Sequence, residues 1–346
     1  MKVSEFMLTL IKQLTEEKKL AESTASAYVK ALYMLNGKAP FKALTFLKKT
    51  EEVEKKISEY ADNTQKALYS TIASVLSLFK DKPTYKKVYQ HYHDKMMGKA
   101  KEMRETGGEK SEKTEKEDAN WIEWEEVQKI AHSLKEEIGK FATAKHITPD
   151  QFQRLLDFVV LSLYTNIQPR RNKDYLNMYV VVDSKKTAAT SLPTDKNYLV
   201  VSGKASNPHP VEFIFNSYKT AKKYGQQRIP IPNTAEAPLG DAITTYLRQH
   251  PLVKGNKAKT TEYKFLVLPD GSPITAVNAI TRILNRVFGK KIGSSMLRHI
   301  FLSSKYDVKE MEADAEAMGH SVSEQRNYLR GSGEAPETPR LEVSEI

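Results

Sequence analysis

The sequence predicts a mainly α-helical protein in two lobes, with a small antiparallel β-sheet in the second lobe. Three observations carry that prediction. Apolar residues recur at three- and four-residue spacing over most of the 346 residues. From Gly98 to Asn120, Lys, Glu, Gly, Ser and Thr alternate with almost no apolar side chain, so the stretch cannot offset its ordering entropy and reads as a flexible charged linker. Runs of β-branched and aromatic residues cluster between Tyr179 and Ile231. At this length each lobe is large enough to bury its own core.

The first lobe, residues 1–97, reads as a helical bundle. Phe6, Leu8, Leu10, Ile11 and Leu14 recur at helical spacing, and so do Tyr28, Leu32 and Leu35, after a candidate cap at Ser23-Thr24. A third helix runs from Asn63 through Leu68, Ile72, Val75 and Leu76 to Phe79; a fourth, from Pro83, carries Tyr85, Val88, Tyr89 and Tyr92. Lys30, Lys48, Lys49, Lys66, Lys86 and Lys87 interleave with these faces. Singly each suits a solvated surface; together they suit a bundle that grips a nucleic-acid backbone.

The second lobe, residues 121–330, opens at Trp121-Ile122-Glu123-Trp124 and continues as a helix through Val127, Ile130, Leu134 and Ile138. Thr148-Pro149-Asp150 is a helix start for Phe152–Tyr164, which is apolar on most sides and therefore central. Tyr179–Val182, Tyr198–Val201, Val211–Phe215 and Arg228–Ile231 read as strands, with a basic hairpin over Tyr218–Gly225 between the last two. Helical patterns resume at Leu239–Arg248, Val277–Phe288, Ser295–Tyr306 and Lys309–Met318. Residues 331–346 form a Glu-rich, Pro-containing tail without apolar period, expected to be disordered.

A net charge of +11, from 54 Lys and Arg against 43 Asp and Glu, points to a polyanionic partner. No apolar run is long enough to span a bilayer, and Met1–Lys19 lacks the apolar core of a signal peptide, so nucleic acid is the expected partner rather than a membrane. The absence of cysteine excludes disulfides, thiolate zinc sites and cysteine nucleophiles, and fits a reducing compartment. There is no Walker-type loop, HExxH or EF-hand spacing, so no nucleotide cofactor or metal is expected.

Four boxes carry candidate chemistry. Pro169-Arg170-Arg171-Asn172-Lys173-Asp174-Tyr175 follows the central helix. Lys219-Thr220-Ala221-Lys222-Lys223 lies in the basic hairpin, ahead of Arg228-Ile229-Pro230-Ile231. Ser294-Ser295-Met296-Leu297-Arg298-His299 begins a helix. Met318-Gly319-His320-Ser321 precedes Arg326 and Tyr328, the latter eight residues after His320. An arginine, a histidine and a tyrosine so grouped can hold a phosphodiester: a cation for its oxyanion, an imidazole to hydrogen-bond it and a phenol to attack it. In this order, with sheet and helices between them, the boxes make residues 121–328 resemble the catalytic domain of tyrosine recombinases (integrases) and their mechanistic relatives, the type IB topoisomerases. The first lobe fits that family's helical core-binding domain in size, position and basic character. The wording of the boxes is most similar to integrases of large eukaryotic DNA viruses and related mobile elements.

The resemblance implies roles. Arg171, with an acidic residue three positions later, matches the first catalytic arginine; Asp174 would orient it or a neighbour, and Arg170 would face DNA or serve as the alternative. Lys219 is the best match to the lysine of the family's mobile β-hairpin, with Lys222, Lys223 and the more distant Lys204 as competitors. Arg298 matches the second arginine, His320 the phosphate-binding histidine and, of 17 tyrosines, Tyr328 the nucleophile. Ser295 departs from the pattern: His or Lys is usual there, and a serine can hydrogen-bond a phosphate oxygen but cannot act as a base near neutral pH. His299 is assigned a structural role. Arg170, Lys173, Lys222, Lys223, Ser295 and Arg326 are the expected further DNA contacts. The implied assembly is a two-lobed clamp on double-stranded DNA, monomeric or dimeric when free and tetrameric when bound. It would act intracellularly, in a host nucleus or viral factory if viral, without cofactor. Two alternatives stay open: a type IB topoisomerase with the same chemistry, and a catalytically weak DNA-binding relative, which Ser295 favours.

Overall fold

The computed structural model describes residues 2–105, 113–182, 192–204, 207–232, 238–254 and 262–305. Chain contacts divide the protein into two compact units, Met1–Ser111 and Glu112–Ile346.

The first unit is helical: α1 Glu5–Glu16, α2 Glu22–Leu35, α3 Thr50–Ser58, α4 Asp62–Leu76 and α5 Pro83–Glu105, with single 3-10 turns at Thr45–Lys48 and Ser77–Phe79. The apolar spacing of the sequence becomes the packing: Leu10, Leu14, Val29, Leu32, Ile72 and Leu76 are fully buried together. Tyr92 is buried among them and donates its hydroxyl to the Leu47 carbonyl at 3.0 Å. The expected cap of α2 is not the one used. That helix starts at Glu22, behind Ala21, with no side-chain cap, so Ser23 and Thr24 fall inside its first turn. The short α3 was not predicted, because only Val53 and Ile57 of its nine residues turn inward.

The expected linker over residues 98–120 is shortened at both ends. Helix α5 continues past Gly98 to Glu105, carried by good helix formers and by Lys99, which pairs with Glu102 at i+3 and with Asp62. On the far side, α6 spans Glu115–Asp118 and starts from a full capping box between Thr114 and Glu117.

The second unit continues with α7 Trp124–Gly139, α8 Pro149–Thr165 and α9 Asn172–Leu176. The predicted start of α8 is a capping box: Thr148 accepts from the Gln151 amide, Gln151 reaches back to Thr148, and Pro149 fills the first turn, where its missing N–H costs nothing. Every residue from Leu155 to Tyr164 is buried, as befits a helix packed by α7 on one side and, on others, by α11 Pro238–Arg248 and α13 Ala279–Phe288.

The sheet holds five strands, β1 Met178–Val182, β2 Asn197–Lys204, β3 Asn207–Phe215, β4 Gln227–Pro230 and β5 Glu262–Lys264, in the order β4-β3-β2-β1-β5. It is mixed rather than antiparallel as expected: β1 and β2 run parallel, Met178 facing Asn197. The connection from Val182 to Asn197 has the dozen or so residues that a parallel return requires. The other three pairings are antiparallel. Strand β5 has only three residues, too few to show a period in sequence. Strand β3 begins earlier than predicted, at Asn207; β4 pairs only with Glu212–Phe215, so Pro208 and Pro210 sit where β3 has no strand on that side.

The basic hairpin expected over Tyr218–Gly225 is instead a turn followed by the one-turn helix α10, Ala221–Tyr224. Its residues lack alternation, and the amides of Tyr224 and Gly225 close onto the carbonyls of Thr220 and Ala221. Gly225, at φ +67°, then turns the chain into β4. The hairpin proper joins β2 to β3. The remaining helices are α12 Pro251–Lys254 and α14 Ser294–Lys305; the helix expected over Lys309–Met318 and the tail over 331–346 lie outside the described residues.

Candidate functional site

The site begins where the apolar helix α8 ends. Pro169 is buried there, the next residues cannot continue the helix, and Arg170 and Arg171 follow before α9. The two arginines part at once. Arg170 is held: its Nε donates to Asp174 Oδ2 at 3.1 Å, its Nη1 donates to Gln227 Oε1 at 2.9 Å, and its guanidinium lies 3.8 Å from the centre of the Phe215 ring. Arg171 caps α9 with its backbone and is exposed, and its guanidinium has no hydrogen-bond partner among the described residues. Asp174 therefore orients Arg170, not Arg171.

Asp174 is 2 % exposed, and its Oδ1 has no hydrogen-bond partner among the described residues. Burial pushes its carboxyl above the usual value, opposed by Arg170 and then by Arg171. Behind it, Asn197 is fully buried at the start of β2. Its Nδ2 donates to the Asp174 carbonyl at 2.7 Å and the Ser217 carbonyl at 3.0 Å, while its Oδ1 accepts from the amides of Asn216 and Ser217. One amide side chain thus fixes α9 against the segment that leads to α10.

Arg298 comes from α14, over a hundred residues later. Its Nη2 donates to Ser295 Oγ at 3.0 Å and its Nε to the Ser294 carbonyl at 3.2 Å. Two contacts bring that helix to the arginine pair. Tyr164, buried at the end of α8, donates to Asn172 Oδ1 at 3.0 Å and lies beside Ser294 at the start of α14; Asn172 in turn donates to Thr281 Oγ1 on α13 at 3.0 Å. Gly293, just before α14, lets the two chains approach closely, since a Cβ there would lie 3.1 Å from Thr281 Cγ2.

The result is a cleft of ≈ 390 Å³ lined by Arg170, Arg171, Arg298 and Asp174, with Tyr218, Thr220 and Tyr224 among its other walls. Among the described residues, three guanidiniums against one carboxylate, itself committed to Arg170, make it electropositive. Such a cleft can hold a tetrahedral oxyanion by charge-assisted hydrogen bonds.

Of the other predicted residues, Ser295 belongs to this group through Arg298. Lys219 is exposed on the turn between Tyr218 and Thr220, both of which line the cleft; Lys222 and Lys223 are exposed on α10, and Lys173 on α9. His299 points elsewhere, its Nδ1 3.2 Å from Glu117 Oε1 on α6. His320, Arg326 and Tyr328 lie outside the described residues. The lysine at the end of the β2–β3 hairpin is Lys204, which the sequence ranked behind Lys219. The signal was present in Gly203-Lys204-Ala205-Ser206-Asn207-Pro208, a cluster of turn residues between two β-branched runs. Among the described residues no group of His, Asp or Glu could hold a metal ion, and no helix is long and apolar enough to cross a membrane.

Compared with known proteins, the chain matches no family model, no curated protein and no solved structure.

Proposed function

We propose that this protein is a DNA strand transferase of the tyrosine-recombinase kind, which cuts and rejoins double-stranded DNA through a 3′-phosphotyrosine. The observation that carries the reading is that Arg170, Arg171 and Arg298, from two motif boxes far apart in sequence, line one electropositive cleft. In the proposed reaction the Tyr328 phenol attacks the scissile phosphorus, forming a phosphotyrosyl bond as the bond to the 5′ oxygen breaks. The tyrosyl proton leaves to water or to His320, and the departing 5′ oxygen takes a proton from a lysine. Attack by a 5′ hydroxyl on the phosphotyrosine reverses the step and rejoins the strand. The bond energy is kept in the covalent link, so the exchange needs no nucleotide hydrolysis.

The arginines would bind the non-bridging oxygens and stabilise the added charge of the transition state. Arg170, already fixed by Asp174 and Gln227, supplies preorganised charge; Arg171, exposed at the start of α9, closes on the phosphate. Ser295 would present its hydroxyl to the same oxygen as Arg298. For the proton on the leaving oxygen, Lys219 sits beside the cleft, while the hairpin position favours Lys204. In this reading the two units grip one duplex as a clamp, and four protomers assemble on two duplexes.

The test is a suicide substrate, a nicked duplex incubated without metal or nucleotide and run on a denaturing protein gel. The expected result is a covalent protein–DNA band with the full chain and none with Tyr328→Phe. No adduct on a duplex shown to bind would leave the non-catalytic DNA-binding alternative standing. Given an adduct, relaxation of supercoiled plasmid by monomers would favour the topoisomerase alternative.

A further inference from the structure

We propose that Tyr224 is a stacking platform for an unpaired nucleobase next to the phosphate held in the arginine cleft. The inference rests on the phosphate-binding reading above and goes beyond it by naming what sits beside the phosphate.

Among the described residues of this unit, Tyr164, Tyr175, Tyr198 and Tyr246 are fully buried and Trp121, Trp124, Tyr179 and Tyr218 are partly so. Tyr224 is 58 % exposed, and packing does not explain it. Nor is it on a loose loop. The amide of Tyr224 donates to the Thr220 carbonyl, Gly225 N donates to the Ala221 carbonyl at 2.8 Å, and the Tyr218 hydroxyl donates to the Gly225 carbonyl at 2.8 Å. The ring is presented on a fixed turn, so immobilising its two side-chain torsions on binding costs little.

Its surroundings select the ligand. Tyr224 lines the same cleft as Arg170, Arg171 and Arg298, and Lys223 Nζ lies 5.0 Å from its ring centre. A flat apolar surface beside clustered cations is complementary to a flat π system beside an anion, which is a nucleotide. Within a paired duplex both faces of a base are already covered. The platform therefore gains its contact only where the base is unpaired or easily extruded, at a flaw or weak step beside the bound phosphate.

The experiment measures equilibrium binding of the full chain to three labelled duplexes at one salt concentration: fully paired, bearing one bulged adenine, and bearing the same bulge without its base. Stacking of one base predicts about tenfold tighter binding to the adenine bulge than to the abasic bulge. Tyr224→Ala is expected to remove that preference and Tyr224→Phe to keep it; 2-aminopurine in the bulge should be quenched by the wild type and not by Tyr224→Ala. A preference that survives Tyr224→Ala, or a wild type without preference, overturns the proposal. Deoxyadenosine monophosphate at millimolar concentration should leave the preference intact. If it abolishes it, the platform serves a free nucleotide and the proposal falls. Arg171→Ala separates the two readings: weaker binding to all three duplexes without any base preference overturns only the platform. No salt-dependent binding by the wild type overturns the phosphate reading and the platform with it.

Discussion

Arg170 and Arg171 are neighbours in sequence with opposite environments, and they should fail differently. Arg170 is paired to a carboxylate that is nearly inaccessible, so Arg170→Ala strips a buried group of its ion-pair and side-chain hydrogen-bond partner, which Arg171 offsets only through its charge and its backbone. It should cost roughly 3 kcal/mol of folding stability as well as DNA affinity. Among the described residues Arg171 has no comparable partner, so Arg171→Ala should weaken DNA binding with the urea midpoint almost unchanged. Urea melts and binding isotherms on both variants check this; equal loss of stability in both would contradict the assigned environments. The sequence named both arginines and Asp174. It left open whether Asp174 holds Arg171 or its neighbour, because residue spacing does not show that Phe215 and Gln227, from two different strands, receive Arg170.

Among the elements, the corner between α11 and α12 has a consequence for pH. His250 is fully buried there: Leu252 N donates to its Nδ1 at 3.3 Å, and its Nε2 donates to the Phe265 carbonyl at 3.2 Å. Burial pushes its pKa from 6.5 down to about 4. The unfolded chain therefore takes up the proton first as pH falls. The stability tied to a neutral His250 is fully present above pH 6.5 and is lost as pH drops towards 4. Over that window stability should decline by roughly 3 kcal/mol from this group. Chemical denaturation across the range should show a distinctly flatter slope for His250→Gln. At the same scale, α8 and its start at Thr148-Pro149-Asp150 were legible, since a long apolar helix with a local start signal needs no distant partner. The turn at α10 was not. Its lysines suggested a ribbon, whereas the backbone bonds of Thr220 and Ala221, with Gly225 at positive φ, make a helical turn.

For the whole molecule, the excess of basic residues makes salt the decisive variable. If Lys222 and Lys223, exposed on α10 beside the arginine cleft, each meet a phosphate, the Lys222→Ala/Lys223→Ala variant should lower the slope of log affinity against log salt by about 2. Titrations at several salt concentrations measure it; an unchanged slope would take α10 out of the interface. The sequence by itself determined the division into a helical first unit and a mixed α and β second unit, the central helix, and the motif arginines. Those features arise from local periodicity, composition and capping, which act between residues a few positions apart. Only the tertiary structure decided that β1 and β2 run parallel, that the hairpin lysine is Lys204, and that Arg171 and Arg298 share a cleft with an exposed Tyr224. Those facts depend on contacts between residues far apart in the chain, through Asn197, Tyr164 and Asn172, and local pattern does not encode such contacts.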